Sequence, residues 1–278
     1  MKLNNKRIYK IFRQIYYKYP SMRSFIFNSE KSLLFKPTFI GGLLKTESEH
    51  PWDDNFQSNV FLESIKELKN LESSLDERGV DSISIETSKW RYWIVSFAVR
   101  YVMEFTNTEE NNFVECGVAD GFSSYIAMKE IVENKKINKK FSFHLYDSWK
   151  PMRKTELLSS EFSNEGKYEH LDEHIVKKNL KKFEQFVIYH PGYIPDIFNE
   201  PPEAPKSVIY LAIDLNSAKP TLETLKKFLP ILVRGGVIIF DDYGVKEYED
   251  TRKLIDEFLH DKSGVLLKLP TGQAIFFK

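Results

Sequence analysis

Two apolar runs flanking a helix-length segment give this chain its clearest pattern. Val208 to Ile213 is continuous and ends in Asp214, and Val237 to Phe240 is a second run that ends in Asp241-Asp242. Between them, from Pro220 to Ile231, Leu222, Leu225, Phe228 and Leu229 recur at helical spacing. Pro220 suits a first helical turn, and Gly235-Gly236 reads as the exit loop. The pattern predicts strand, crossover helix, strand. Such a unit is parallel and right-handed in nearly every case, so both strands aim their carboxyl ends at one edge of the sheet. The three aspartates then converge on the rim where open α/β sheets bind ligands.

The same alternation runs from Phe113 onward. FVECGV predicts a first buried strand, Ser123–Glu133 a helix, FSFHLYDS (141–148) a second strand, His174–Gln185 a helix and Phe186–Ile194 a third strand. Residues 149–170 are polar and irregular, as in a long loop or broken helix. Glu247–Leu259 is helical, and Gly264–Leu269 with Gln273–Phe277 reads as a closing hairpin. Upstream, Phe56–Leu75 and Ser88–Glu104 predict helices, and the glycines and prolines of 37–57 predict a loop or lid. The expectation is a doubly wound, Rossmann-like α/β fold. It has a seven-stranded, mostly parallel sheet with one antiparallel edge strand, preceded by a helical N-terminal extension. The division falls at 1–87 for the extension or lid and 88–278 for the α/β domain.

Composition adds less. The 278 residues are 42% hydrophobic, enough for a large core without covalent staples, and the one cysteine, Cys116, excludes an intrachain disulfide framework and fits a reducing compartment. Lys+Arg and Asp+Glu are both 40, which points away from nucleic acid. No run approaches the length of a membrane span, and the N-terminus lacks the apolar core of a secretory signal. The expectation is a cytoplasmic protein. Residues 1–36 are distinct, with nine Lys/Arg against Glu30 alone. Ile8, Ile11, Phe12, Ile15, Tyr16 and Tyr19 share a helical face over 7–19. A packing helix explains this most simply, and peripheral membrane or partner contact is the sharper alternative.

Three constellations carry candidate chemistry. FVECGVADGFSS ends a strand in Glu115 and Gly117, turns at Gly121 and opens a helix with Ser123-Ser124. Glycines there permit positive torsions and close approach of a ligand, or only an ordinary strand–helix turn. The third glycine of the dinucleotide fingerprint is missing. Asp147 ends the second strand, where a carboxylate takes the hydroxyls of a ribose; otherwise it caps the following segment. Asp214, Asp241 and Asp242 repel one another on a shared rim and call for a counter-charge. Mg²⁺ fits an all-oxygen site of this kind. Asp242 is the member most readily read as a solvated loop acid. His144 reads as a core histidine, whereas His170, His174, His190 and Tyr243 are candidate bases.

Together these residues resemble class I S-adenosylmethionine-dependent methyltransferases, and within them the macrocin O-methyltransferase (TylF/MycF-type) family. The resemblance spans about Trp90 to Lys278. It rests on FVECGVADGFSS, HLYDSWKPM, HPGYIPDIF and the series AIDLNSAKPTLETLKKFLPILVRGGVIIFDDYG. It implies S-adenosylmethionine as cofactor, with Glu115, Gly117, Ser123 and Ser124 toward its amino-acid end, Asp147 and Ser148 at its ribose, Tyr193 on its adenine side and Asp214 at the junction between cofactor and acceptor. It implies Mg²⁺ on Asp214, Asp241 and Asp242, gripping a hydroxyl of a small-molecule or saccharide acceptor, and a homo-oligomer as the working state. Trp149-Lys150-Pro151-Met152 departs from the family's usual Phe-Glu-Gly-Leu-Pro, and Asp120 places an additional charge beside the cofactor. The rivals are an NAD-dependent oxidoreductase on the same kind of sheet and a methyltransferase-like binding module without catalysis.

Overall fold

The computed structural model describes residues 50–53, 59–73, 82–134 and 140–278. The basic stretch 7–19 and most of the predicted 37–57 loop lie outside them. In chain order the elements are α1 (Asn59–Leu68), α2 (Ser82–Phe105), β1 (Asn111–Cys116), α3 (Phe122–Glu133), β2 (Phe141–Asp147) and α4 (Glu173–Asn179). They continue with β3 (Val187–Pro191), β4 (Val208–Ile213), α5 (Ala218–Phe228), β5 (Leu232–Phe240), α6 (Glu249–Leu259), β6 (Val265–Lys268) and β7 (Ala274–Phe277). The sheet order is β3-β2-β1-β4-β5-β7-β6. Strands β1 to β5 are parallel, and β7 runs antiparallel between β5 and β6. The predicted hairpin therefore enters with its second strand innermost.

Alternation along the strands makes two cores. Phe113, Phe143, Tyr210 and Ile239 face one side with α2 and α3, while Val114, Leu211, Ile238 and Phe240 face the other with α5 and α6. Each such fully buried side chain contributes about 1.5–3 kcal/mol. In α1, Phe61, Ile65 and Leu68 return every third or fourth residue to the first core. Trp52 stands edge-on to Trp90 and Trp93 there, so it packs with the α1 and α2 aromatics. Helix α2 begins at Ser82, so the division drawn at 87/88 falls within it.

The structure refines three of the predicted segments. The helix 174–185 breaks after Asn179 into a 3-10 turn, Lys181–Phe186. The irregular segment 149–170 contains two 3-10 turns, Lys154–Glu156 and Ser159–Asn164. Gly235-Gly236 is not an exit loop; it lies within β5. Gly235 has φ +81°, and a Cβ there would come within 3.0 Å of the Phe105 carbonyl oxygen, so the strand bends where α2 ends against it.

No helix of the described residues is long and apolar enough to cross a membrane.

Candidate active site

The parallel ladder continues one residue past the strand ends, and this brings the rim together. Gly117 donates its amide to Tyr146 O at 2.9 Å, Asp214 to Cys116 O at 2.9 Å and Asp241 to Ile213 O at 3.0 Å. Gly117, Asp214 and Asp241 therefore stand side by side at the point where strand order reverses between β1 and β4. Gly117 has φ +85°, and a Cβ on it would fall 1.8 Å from the Asp214 carbonyl oxygen. Glycine is required there by the neighbouring strand.

A cavity of ≈ 360 Å³ opens over this rim. It is lined by Gly117 and Ser123 from the first turn, Asp147 and Ser148 after β2, Tyr193 after β3, and Asp214, Asp241 and Asp242. A second chamber of ≈ 250 Å³ adjoins it and adds Glu115, Asp120 and Gln273; the two share Arg91, Val118 and Asp214 among their walls. Such volumes suit small-molecule ligands. The four non-glycine residues with positive φ among the described residues are Ala119 (48°), Trp149 (44°), Tyr168 (67°) and Asn216 (52°). Ala119, Tyr168 and Asn216 line the larger cavity, and Trp149 lines a third one of ≈ 270 Å³ beside it. Unfavourable torsions thus concentrate around the site.

Glu115 is 3% exposed and accepts the hydroxyls of Ser123 and Ser124, one on each carboxylate oxygen. Burial pushes its pKa up to about 7; the serines oppose this, and the charges of Asp214 and Asp147 add to it. The serine hydroxyls are therefore turned toward Glu115, and Ser124 is fully buried and lines neither chamber.

Asp147 organises the turn. Oδ2 accepts the amides of Val118 at 2.7 Å and Ala119 at 2.9 Å, and Oδ1 accepts Trp149 N at 2.8 Å. Burial raises its pKa, and these backbone donors oppose the shift. The capping alternative is thus realised, while Asp147 still borders the cavity. Trp149 closes the unit by donating Nε1–H to Ala119 O at 2.9 Å. Asp120, 1% exposed, accepts the Ser73 hydroxyl at 3.0 Å, which ties the turn to the chain beyond α1. Tyr193 donates to Pro151 O at 2.8 Å, and the Arg153 guanidinium lies 3.6 Å over its ring.

Oxygens of Asp214, Asp241 and Asp242 all lie within 4.8 Å of one another. The three differ in their partners. Gln273 Nε2 donates to Asp241 Oδ1 at 2.8 Å, and Arg91 pairs with Asp241 Oδ2. Asn216 donates to Asp214 Oδ1 at 3.0 Å. Asp242 Oδ2 is buried without a hydrogen-bond partner. Burial raises the pKa of Asp214, with the Arg91 charge opposing it. Burial raises that of Asp242 further, with the Asp214 charge adding to it. The acid most readily read as solvated is thus the one with an orphaned buried oxygen. Three clustered carboxylates, one with an unmatched acceptor, form a donor set suited to a hard divalent cation.

Two candidate bases are removed from the site. His190 is fully buried, with Nε2 2.9 Å from His144 Nδ1, and burial pulls both imidazoles down to about 4. Tyr243 is 3% exposed and donates to Asp256. His174 lines the third cavity only, and His170 lines none of the three. Arg91, Asn216 and Gln273 were not expected at the rim. Arg91 lies in a helix apolar on most of its faces and Gln273 in the closing hairpin, both outside the motifs, whereas Asn216 stands two residues after Asp214 within the AIDLNSAKP series.

Residues 114–243 match the profile of a family described as a methyltransferase domain, which spans β1 to β5 and the rim. No curated protein matches the chain. Among solved structures, the O-methyltransferase NovP is similar at 17% identity, with TM-score 0.63, over 79% of this chain and 99% of its own. CalS11, a calicheamicin methyltransferase, is similar at 14% identity, with TM-score 0.57, over 84% of this chain and 98% of its own. At these identities the likeness is one of fold, and the fold is the Rossmann-like one of those methyltransferases.

Proposed function

We propose that this chain, a methyltransferase by its domain, transfers the methyl group of S-adenosylmethionine to a hydroxyl of a saccharide or glycosylated small molecule, with Mg²⁺ on the aspartate rim. The observation that carries the reading is the shared cavity. One space is bordered by the glycine turn after β1, by the carboxylate ending β2 and by the three aspartates after β4 and β5. The macrocin-type resemblance of the Asp214 to Gly244 series supports an oxygen acceptor, as does the similarity to NovP.

S-adenosylmethionine, when bound, supplies an electrophilic methyl, so no covalent enzyme nucleophile is called for. Mg²⁺, when bound, supplies a Lewis acid that orients a hydroxyl and lowers its pKa. The residues of this chain do the rest. Gly117 keeps the turn close to β4, and Asp147 holds the Val118 and Ala119 amides so that the turn keeps its shape. Asp147 Oδ1 accepts one backbone amide, which leaves capacity for a ribose hydroxyl. Tyr193, held by Pro151 and Arg153, offers a fixed aromatic face. Asp214 and Asp242 would hold the cation with Asp241, and Asn216 orients the Asp214 carboxylate. Much of the acceleration comes from holding donor and acceptor in line.

The test is transfer of labelled methyl from S-adenosylmethionine to a panel of free sugars, glycosides and nucleotide sugars, with Mg²⁺ or with EDTA. The reading expects a labelled O-methyl product that EDTA abolishes. Transfer that survives both EDTA and the double change Asp241→Asn, Asp242→Asn would sink the metal part, and label on nitrogen or carbon would sink the oxygen part.

A further inference from the structure

Arg91 belongs to none of the motifs, yet it touches the centre of the site. It projects from α2, and its Nη2 pairs with Asp241 Oδ2, donates to the Asp241 carbonyl at 3.1 Å and lies 3.7 Å from Asp242 Oδ1. The same side chain borders both chambers, and among the described residues it is the one cation lining the smaller. Gln273 holds the other Asp241 oxygen, so both oxygens of this carboxylate are engaged from within the chain.

That engagement sits where the donor set calls for an ion. A guanidinium is a planar fork and meets carboxylates from one side. It does not reach the buried Asp242 Oδ2, which keeps no partner, and its nearest approach to Asp242 is to the other oxygen. A small divalent cation, which draws its oxygen ligands around itself, suits all three carboxylates at once. Guanidinium and cation would use the same oxygen of Asp241, and two positive charges would not share it.

We propose that Arg91 is a displaceable internal counter-ion: it steadies the aspartate rim without a divalent cation and competes with that cation for Asp241. This rests on the metal reading of the trio above. The adjoining chamber of ≈ 250 Å³, which Arg91 already borders, gives the released guanidinium room. The proposal predicts that Arg91 weakens metal binding, the reverse of what a residue that merely organises the ligands would do.

The test uses the full chain and the metal alone. Mn²⁺ is titrated into wild type, Arg91→Gln and Arg91→Lys, followed by calorimetry and by the resonance of free Mn²⁺; thermal midpoints are recorded in EDTA and in Mg²⁺. Arg91→Gln is expected to bind Mn²⁺ about tenfold more tightly than wild type, to melt lower in EDTA and to gain more from Mg²⁺. Arg91→Lys is expected to fall between the two. Equal or weaker Mn²⁺ binding by Arg91→Gln, with wild-type binding intact, overturns the competition and leaves the metal site standing. Absence of Mn²⁺ binding in all three proteins overturns both. If Arg91→Gln does not fold, the Arg91 Nε–H resonance of wild type, assigned through Arg91→Lys, decides. A signal that moves as Mg²⁺ saturates supports displacement, and an unmoved signal overturns it.

Discussion

Asp147 Oδ2 accepts the Val118 amide at 2.7 Å, so the end of β2 holds the turn that follows β1. A residue expected at a ribose is thereby a structural member of the loop beside it. Asp147→Ala removes the acceptor of three backbone amides. Charge-assisted bonds of this kind are worth about 1.5–3 kcal/mol each, and relaxation and water recover part of the loss. The expected outcome is a clearly lower midpoint in urea unfolding together with S-adenosylhomocysteine affinity reduced about tenfold or more. Asp147→Asn, which keeps one acceptor oxygen, should fall between the two proteins in both measurements.

Gly117 and Gly166 form a matched pair for a second test. Both have positive φ, +85° and +78°, but a Cβ at Gly117 would meet the Asp214 carbonyl oxygen at 1.8 Å, and at Gly166 it would meet nothing within 4 Å. Gly166→Ala should cost only the left-handed torsion, roughly 1–2 kcal/mol. Gly117→Ala has to push β4 away as well and should cost on the order of 4 kcal/mol or prevent folding. Denaturant midpoints of the two variants check the ordering.

Glu115 and the His144–His190 pair give opposite pH slopes. The folded pKa of Glu115 is about 7 against an ordinary 4.5, so the folded chain holds this proton more tightly than the unfolded one. Its contribution is fully present below about pH 4.5 and is lost as pH rises toward about 7. The histidines lie at about 4 against 6.5; their contribution is present above about pH 6.5 and is lost as pH falls toward about 4. Glu115→Gln removes the first slope. Relative to wild type it should gain stability above about pH 7, by on the order of 3 kcal/mol at most. What remains should be a rise in stability from about pH 4 to about pH 6.5. Urea unfolding across that range reads both slopes.

Asp242 carries a buried oxygen without a partner and the repulsion of Asp214. Asp242→Asn should therefore stabilise the metal-free protein by on the order of 1 kcal/mol, the usual exchange of stability for function. It should also abolish the rise in melting temperature that Mg²⁺ is expected to give wild type. Thermal scans in EDTA and in Mg²⁺ measure both effects.

Most of the fold was legible because each strand is a short apolar run closed by turn residues, and because parallel crossovers have one hand. Convergence of Asp214, Asp241 and Asp242 followed from the parallel direction of the two strands, each of which ends in an acid. The partners of these acids were not legible. Arg91 and Asp241 are 150 positions apart, and nothing in the Ser88–Glu104 pattern marks one arginine as reaching over the sheet. Ser123 and Ser124 were expected at the cofactor's amino-acid end, and their use in satisfying Glu115 was not legible. Gly235-Gly236 was misplaced because a glycine pair looks alike in a loop and in a bent strand. Backbone crowding between elements distant in sequence separates the two.

Calorimetric titration of the full chain with S-adenosylhomocysteine and, separately, with NAD tests the central claim most directly. Saturable, stoichiometric binding of S-adenosylhomocysteine, weakened in Asp147→Ala, is expected, with no binding of NAD. Saturable NAD binding by a chain that does not bind S-adenosylhomocysteine would contradict it.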